Sequence, residues 1–208
     1  MDDIISLKNW LSANEINEIK QIVSTWPVEK YWARHGRFEG ELVTGQSYYQ
    51  WTPGEILETM LGDRMTKVIG EHRVVETVYQ TLYYPWDIHT DWYNKESSEP
   101  YRVFVIPLED YPHSRTIIFN QQGNYRDFYK YKQQHDPIKD CVDLDFWQAN
   151  LSHCWDDDRQ YLSLKYVSDP WKAGDALCFP RNIFHSSDDF YLRQTGPKNF
   201  LQILTDRI

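Results

Sequence analysis

From residue 74 onward the chain is a succession of short runs rich in β-branched and aromatic residues, each closed by turn residues. That alternation restricts it to a sheet-rich fold. The runs span 74–84 (VVETVYQTLYY), 101–108 (YRVFVIPL), 115–119 (RTIIF), 161–167 (YLSLKYV), 176–179 (ALCF) and 198–205 (KNFLQILT). The aromatic load of 9 Trp, 15 Tyr and 9 Phe suits pleated, half-buried surfaces, with a few rings left over to wall a ligand pocket.

Residues 1–72 read as a largely helical N-terminal layer. Ser12-Ala13-Asn14-Glu15 is a capping box, followed by Ile16, Ile19, Ile22 and Val23 at helical spacing. A second helix is expected after Pro53-Gly54, carrying Ile56, Leu57, Met60, Leu61, Met65, Val68 and Ile69 and stopped by Gly70. Residues 31–52, aromatic and punctuated by glycine, read as a short strand or loop pair. The expectation is one domain over 1–208, mainly β with N-terminal helices: a double-stranded β-helix, the jelly-roll or cupin-like barrel, over 73–208. Residues 120–160 break the strand spacing. They are polar, aromatic and acidic, and read as one long insertion between barrel strands.

Bulk properties narrow the function classes. A formal net charge of −9 argues against a nucleic-acid partner, because such binding rests on neutralising phosphates. Three cysteines (Cys141, Cys154, Cys178) without CxxC spacing make a disulfide framework or zinc site a poor reading and free thiols in a reducing compartment the plain one. The opening Met1-Asp2-Asp3 lacks a basic stretch before an apolar run, and no apolar run approaches the roughly 20 residues of a membrane span. A cytoplasmic location without membrane attachment is the expectation.

Chemistry concentrates in two distant segments. In Tyr84-Pro85-Trp86-Asp87-Ile88-His89-Thr90-Asp91-Trp92, alternate side chains of an extended backbone share a face, so His89 and Asp91 point together while Thr90 points away. One imidazole and one carboxylate in chelating position are two of the three ligands of a 2-His-1-carboxylate facial triad. A His-x-Asp triplet alone is also what a polar surface turn provides. The second segment, Ala173-Gly174-Asp175-Ala176-Leu177-Cys178-Phe179-Pro180, is a turn leading into a buried strand, with Phe184-His185-Ser186 after it. It puts His185 at the end of a barrel strand, able to complete the triad from the opposite wall. His35, His72, His113, His135 and His153 have no ligand spacing to one another and read as surface or hydrogen-bonded loop histidines. Asp156-Asp157-Asp158 reads as a solvated charge run.

The order strand, His-x-Asp, long gap, Gly-Asp-x-Leu-x-Phe-Pro, His, then a basic residue on the last strand resembles the Fe(II)/2-oxoglutarate-dependent dioxygenase superfamily over roughly residues 74–205. The likeness is to its prolyl-hydroxylase-like branch and to small oxygenases of bacteria and their phages. The Leu-Ser-Ala-Asn-Glu box also looks like the helix preceding the barrel in that branch. The resemblance implies His89, Asp91 and His185 as iron ligands and a basic residue clamping the distal carboxylate of the 2-oxoglutarate cosubstrate. Lys198 is preferred because it opens the last strand; Arg193 competes, since a guanidinium pairs a carboxylate bidentately. Tyr84, with Tyr79 and Tyr83 as neighbours in contention, resembles a tyrosine that hydrogen-bonds the cosubstrate.

By the same resemblance dioxygen is consumed, succinate and CO2 are released, and ascorbate can accompany the reaction. The carboxylate ligand favours hydroxylation over halogenation. A nucleic-acid-repair member would carry a second arginine six residues along the last strand, where this chain has Leu204. A protein or peptide side chain or a free amino acid is therefore the expected substrate, with the aromatic insertion as its lid. Two other classes stay open at this point: a cupin-type iron enzyme independent of 2-oxoglutarate, and a non-catalytic barrel that serves as a binding module.

Overall fold

The computed structural model describes residues 4–25, 28–38, 41–52, 55–92, 100–123, 128–193 and 197–208, and only the backbone of 28–38, 41–52, 55, 56 and 100. Its strands pair antiparallel throughout. In chain order they are β1 (Ile5–Leu7), β2 (Val28–Phe38), β3 (Glu41–Thr52), β4 (His72–Leu82), β5 (Pro100–Pro107), β6 (Thr116–Gln122), β7 (Leu164–Val167), β8 (Ala176–Pro180), β9 (Ile183–Ser187) and β10 (Lys198–Arg207). The helices of the N-terminal part are α1 (Ala13–Ser24) and α2 (Glu55–Ile69). A seven-stranded sheet in the order β1-β8-β5-β10-β4-β3-β2 lies against a three-stranded sheet in the order β7-β6-β9. This is the jelly roll expected from the strand spacing, built as two packed sheets.

Side-chain alternation divides the molecule into layers. Phe104, Ile106, Cys178, Leu201 and Ile203 turn to one face of the large sheet, where Ile16, Ile19, Leu57, Leu61 and Met65 of the two helices cover them. Val103, Val105, Leu177, Phe179, Phe200 and Leu204 turn to the other face and meet Ile118 and Ile183 of the small sheet. That shared interior holds the candidate site. The outer face of the small sheet is in turn covered by α3 (Leu144–Asn150) and its flanks, through Trp147, Leu151 and Leu162 packed on Ile117, Phe119 and Phe184.

The helix starts follow the local code. Ser12 Oγ accepts from the Glu15 amide while Glu15 takes the Ser12 amide at 2.7 Å, and Gly70 ends α2 with φ +79. Gly174 (φ +81) makes the turn before β8; a Cβ there would lie 2.5 Å from the Leu11 carbonyl oxygen, so only glycine lets the two segments meet. The neighbouring Asp175 accepts the Asn9 amide at 2.8 Å. The Gly-Asp pair thus seats the N-terminal segment beside β8.

Two expectations change. The first 72 residues are less helical than their pattern suggests: 31–38 and 41–52 fall within β2 and β3, an antiparallel pair that extends the large sheet beyond β4. α2 starts at Glu55, directly after Pro53-Gly54 as expected, and that dipeptide itself lies outside the described residues. The insertion is a packed layer with its own apolar core, so a segment of polar composition is still held by a few large side chains: Phe128 and Trp147 are buried, whereas Tyr129 and Trp155 are open. Tyr125, expected among its aromatics, lies outside the described residues.

Candidate active site

Two backbone contacts assemble the site. His89 and His185 exchange amide-to-carbonyl hydrogen bonds of 3.1 and 3.0 Å, an isolated antiparallel bridge that fastens the His-x-Asp segment to β9. His185 sits inside β9, not at the end of a strand as its sequence position implies. Two residues on, the Asp91 amide donates to the Arg181 carbonyl at 2.9 Å. The Arg181 guanidinium returns Nε and Nη2 hydrogen bonds to the Asp91 carbonyl at 3.3 and 3.2 Å. Arg181 is 1% exposed, and its Nη1 also pairs with Asp206 Oδ1 at 2.6 Å. One arginine thus binds the ligand segment to the far end of β10.

Side chains at the three expected positions converge. A ligand atom from each of His89, Asp91 and His185 lies within 4.8 Å of the other two. His185 Nε2 is 3.4 Å from Asp91 Oδ2, and His89 Nε2 is 3.9 Å from Asp91 Oδ1. Two ligands bound at right angles, each at about 2.1 Å, would sit roughly 3 Å apart, so these spacings suit one small ion. The other ring nitrogens are engaged: His89 Nδ1 faces the Asp87 carbonyl at 2.6 Å and His185 Nδ1 the Ile183 carbonyl at 3.1 Å. Each carbonyl accepts a hydrogen bond from Nδ1–H, which leaves the Nε2 lone pair facing inward, the tautomer a metal requires. Asp91 Oδ1 accepts from Gln202 Nε2 at 2.9 Å, whereas the buried Oδ2 has no hydrogen-bond partner among the described residues. A buried oxygen left open costs free energy unless something binds it, and a cation beside two imidazole lone pairs does. The donor set fits a divalent metal of the 2-His-1-carboxylate kind.

The interior continues along β10. Lys198, Phe200, Gln202 and Leu204 alternate onto the face shared by the two sheets, which sets Lys198 roughly 13 Å along the strand from Gln202. Lys198 is wholly buried and its Nζ has no hydrogen-bond partner among the described residues. The ammonium lies 4.2 Å from the ring centroids of Trp171 and Phe190. Burial pushes its pKa down to about 8, only partly offset by the Asp188 carboxylate. Arg193, which its turn position makes a solvated side chain in the sequence, is instead committed to Asp188 Oδ2 at 2.6 Å, to the carbonyls of His113 and Ala149, and to Asn150 Oδ1. Tyr84 lies past the end of β4 with its ring 4.9 Å from that of Tyr191. Tyr79 packs on the helix side of the large sheet and Tyr83 is exposed.

Beside His89 opens a cavity of about 600 Å³, whose lining includes Trp86, Asp87, His89, Tyr129, Trp155 and Asp157. His153 holds the insertion to the site. It is 4% exposed, its Nε2 lies 3.2 Å from both the Trp86 carbonyl and Ser186 Oγ, and its Nδ1 is 3.9 Å from Asp189 Oδ2. Of the two expected readings it is the hydrogen-bonded loop histidine, and it is buried. Asp158 departs from the solvated charge run: it is 7% exposed and pairs with Lys132.

Sequence reasoning missed Arg181, Gln202 and Gln80, whose Nε2 donates to Gln202 Oε1 at 2.5 Å. For Gln202 a signal existed: it stands four residues after Lys198 on one strand and so shares its face. Nothing local marks Arg181, whose partners are 90 and 25 residues away in sequence.

No protein-family model and no curated protein matches the sequence. Solved structures match its fold. The non-heme alpha ketoglutarate dependent epimerase SnoN from nogalamycin biosynthesis aligns with a TM-score of 0.62 at 11% identity, over 99% of this chain and 78% of that one. A 2OG-Fe(II) oxygenase family oxidoreductase from Burkholderia pseudomallei aligns at 0.58 and 10% identity, over 99% and 85%. A Pseudomonas putida prolyl-4-hydroxylase aligns at 0.52 and 11% identity, over 100% and 94%. The chain therefore has the jelly-roll fold found in the 2-oxoglutarate/Fe(II) oxygenases, with a His-Asp-His cluster in the interior between its sheets.

Proposed function

We propose that the protein is an Fe(II)- and 2-oxoglutarate-dependent oxygenase that hydroxylates its substrate. The observation that carries the reading is the pairing of two unfilled groups on one interior face: Asp91 Oδ2 beside two inward-facing imidazoles, and the buried Lys198 ammonium along β10. The first suits a metal and the second a carboxylate. Joined to the fold likeness, they support a metal chelated by a keto acid whose far carboxylate reaches the lysine.

His89, Asp91 and His185 would hold the iron, the donor set of a 2-His-1-carboxylate site. Bound Fe(II) would couple dioxygen cleavage to oxidative decarboxylation of 2-oxoglutarate, one oxygen atom entering succinate and the other a substrate C–H bond, with CO2 released. The chain itself positions and protects. Gln202 fixes the carboxylate plane of Asp91 through Oδ1, so Oδ2 is presented to the metal. Lys198 forms a charge-assisted hydrogen bond with the distal carboxylate, desolvated by Trp171 and Phe190. The cavity on the His89 side receives the substrate, and the rings of the insertion exclude water from it.

Anaerobic addition of Fe(II) and then 2-oxoglutarate tests the reading. A visible charge-transfer absorption is expected that needs both additions and is absent in Asp91→Ala and His185→Ala. If the wild-type protein gives no such absorption, or gives it equally without Asp91, the oxygenase reading fails.

A further inference from the structure

The cavity beside His89 has a chemistry of its own, distinct from that of the metal and the keto acid. Among the described residues, its charged lining is three carboxylates (Asp87, Asp157 and Asp158) against a single ammonium, that of Lys132. Lys132 is already spoken for: it is hydrogen-bonded to Asp158, lies 3.7 Å from Asp157 Oδ2 and keeps only 17% of its side chain exposed. Burial would lower the Lys132 pKa, yet these carboxylates outweigh burial and raise it. A cation is thus favoured there even when partly desolvated. Asp157, by contrast, keeps 67% of its side chain exposed.

The remaining walls are aromatic. Trp86, Phe128, Tyr129 and Trp155 line the cavity, and Tyr129 and Trp155 are 61% and 42% exposed. Large rings left open around a concave space are unusual on a free surface and mark a contact site. Rings bring a negative face to a ligand, and indole is the strongest of them for a cation. Carboxylates and indoles around one cavity attract positive charge and offer apolar contact together. An anionic substrate would find no uncommitted cation among the described lining residues. The volume suits a small ligand or one extended side chain. The net charge of −9 steers cations toward the protein.

We infer that the cavity binds an organic cation, an ammonium or guanidinium group on an apolar skeleton, as the substrate of the proposed oxygenase. The inference depends on the oxygenase reading only for the word substrate; the binding preference stands on the cavity. Such a cation is carried either by a free amine or by a lysine or arginine side chain of a peptide.

Calorimetric titration of the metal-free protein at low salt with 4-phenylbutylamine, 4-phenylbutanol and 4-phenylbutyrate tests the preference, since the three differ only at the polar end. The amine is expected to bind about tenfold more tightly than the alcohol and the carboxylate most weakly. Asp157→Asn, at a position whose side chain is 67% exposed, should cut the advantage of the amine about threefold and leave the alcohol unchanged. A doubly capped Ala-Lys-Ala peptide separates the carriers: affinity matching the amine assigns a peptide side chain, and weaker affinity assigns a free amine. Equal binding of amine and alcohol, tighter binding of the carboxylate, no binding of any of the three, or indifference to Asp157→Asn overturns the inference. Because no metal is present, this result is separable from the charge-transfer experiment. A cation-selective cavity without the absorption would sink the oxygenase reading alone, and the absorption without cation selectivity would sink this one alone.

Discussion

Two ends of the same interior are built on opposite terms. At the Asp91 end nearly every polar group is answered by protein: the backbone by Arg181, Oδ1 by Gln202, and Gln202 in turn by Gln80. At the Lys198 end a full charge is buried against two rings, and no hydrogen-bond acceptor among the described residues reaches it. The first end is organised in advance, so on the proposed function a metal would meet ligands already aimed. The second is held in a state that costs the fold free energy and that, on the same proposal, an arriving carboxylate would relieve. A charge kept neither paired nor solvated is a weak device for stability and a strong one for recognition.

Replacing the unanswered charge tests that contrast most severely. Lys198→Met keeps the length and the ring contacts and removes the ammonium. Affinity for 2-oxoglutarate, read by calorimetry on the iron-loaded protein under anaerobic conditions, should fall by about a hundredfold, the scale of a lost charged hydrogen bond in a buried site. The same variant should unfold at higher denaturant, by on the order of 1–3 kcal/mol, because an unpaired buried charge has been exchanged for a methylene-rich side chain. A variant that loses stability and keeps the affinity would reverse the assignment of the two ends.

At the braced end the expected effect is smaller. Gln202→Leu leaves Asp91 as a ligand but frees its carboxylate to rotate, and it strands Gln80. Metal affinity, measured by competition with a chelating dye, should drop about tenfold, as is usual when a group orienting a ligand is removed. Gln202→Glu is the sharper control, since it keeps the size and places a second carboxylate against Asp91. An unchanged affinity in both variants would mean that Gln202 does not orient the ligand.

How much of this was legible in the sequence follows the range of the interactions involved. The capping box, the stop at Gly70 and six of the strands are local patterns, and they fall where their residues predict, within a few positions. The convergence of His89, Asp91 and His185 was legible because alternation in an extended segment is local, and because the Gly174-Asp175 turn announces the strand ending at Pro180, just before His185. The antiparallel pair of β2 and β3 was half-seen, since its aromatic and glycine content fits a loop pair as well as strands that add to the edge of a sheet. The packing of the insertion was not legible, because Trp147 and Phe128 become core only when the outer face of the small sheet is beneath them. Arg181 shows the limit most plainly: from its neighbours it is a basic residue after a proline, and only the folded chain brings Asp91 and Asp206 to it.

The smallest effect is the one that reads the Lys198 environment directly. The unfolded chain holds this proton up to the ordinary lysine value of 10.5, and the folded protein holds it only to about 8. Between those values the unfolded state binds more protons, so the stability of the ligand-free protein rises with pH through that window, by on the order of 3 kcal/mol in all. Affinity for 2-oxoglutarate runs the other way, because the carboxylate requires the ammonium. Raising the pH from 7 to 8.5 should weaken it about fourfold. The two slopes share one proton, so Lys198→Met should flatten both. If the affinity slope alone persists in the variant, the titrating group belongs to the metal end, and the contrast between a braced end and an expectant one would have to be drawn elsewhere.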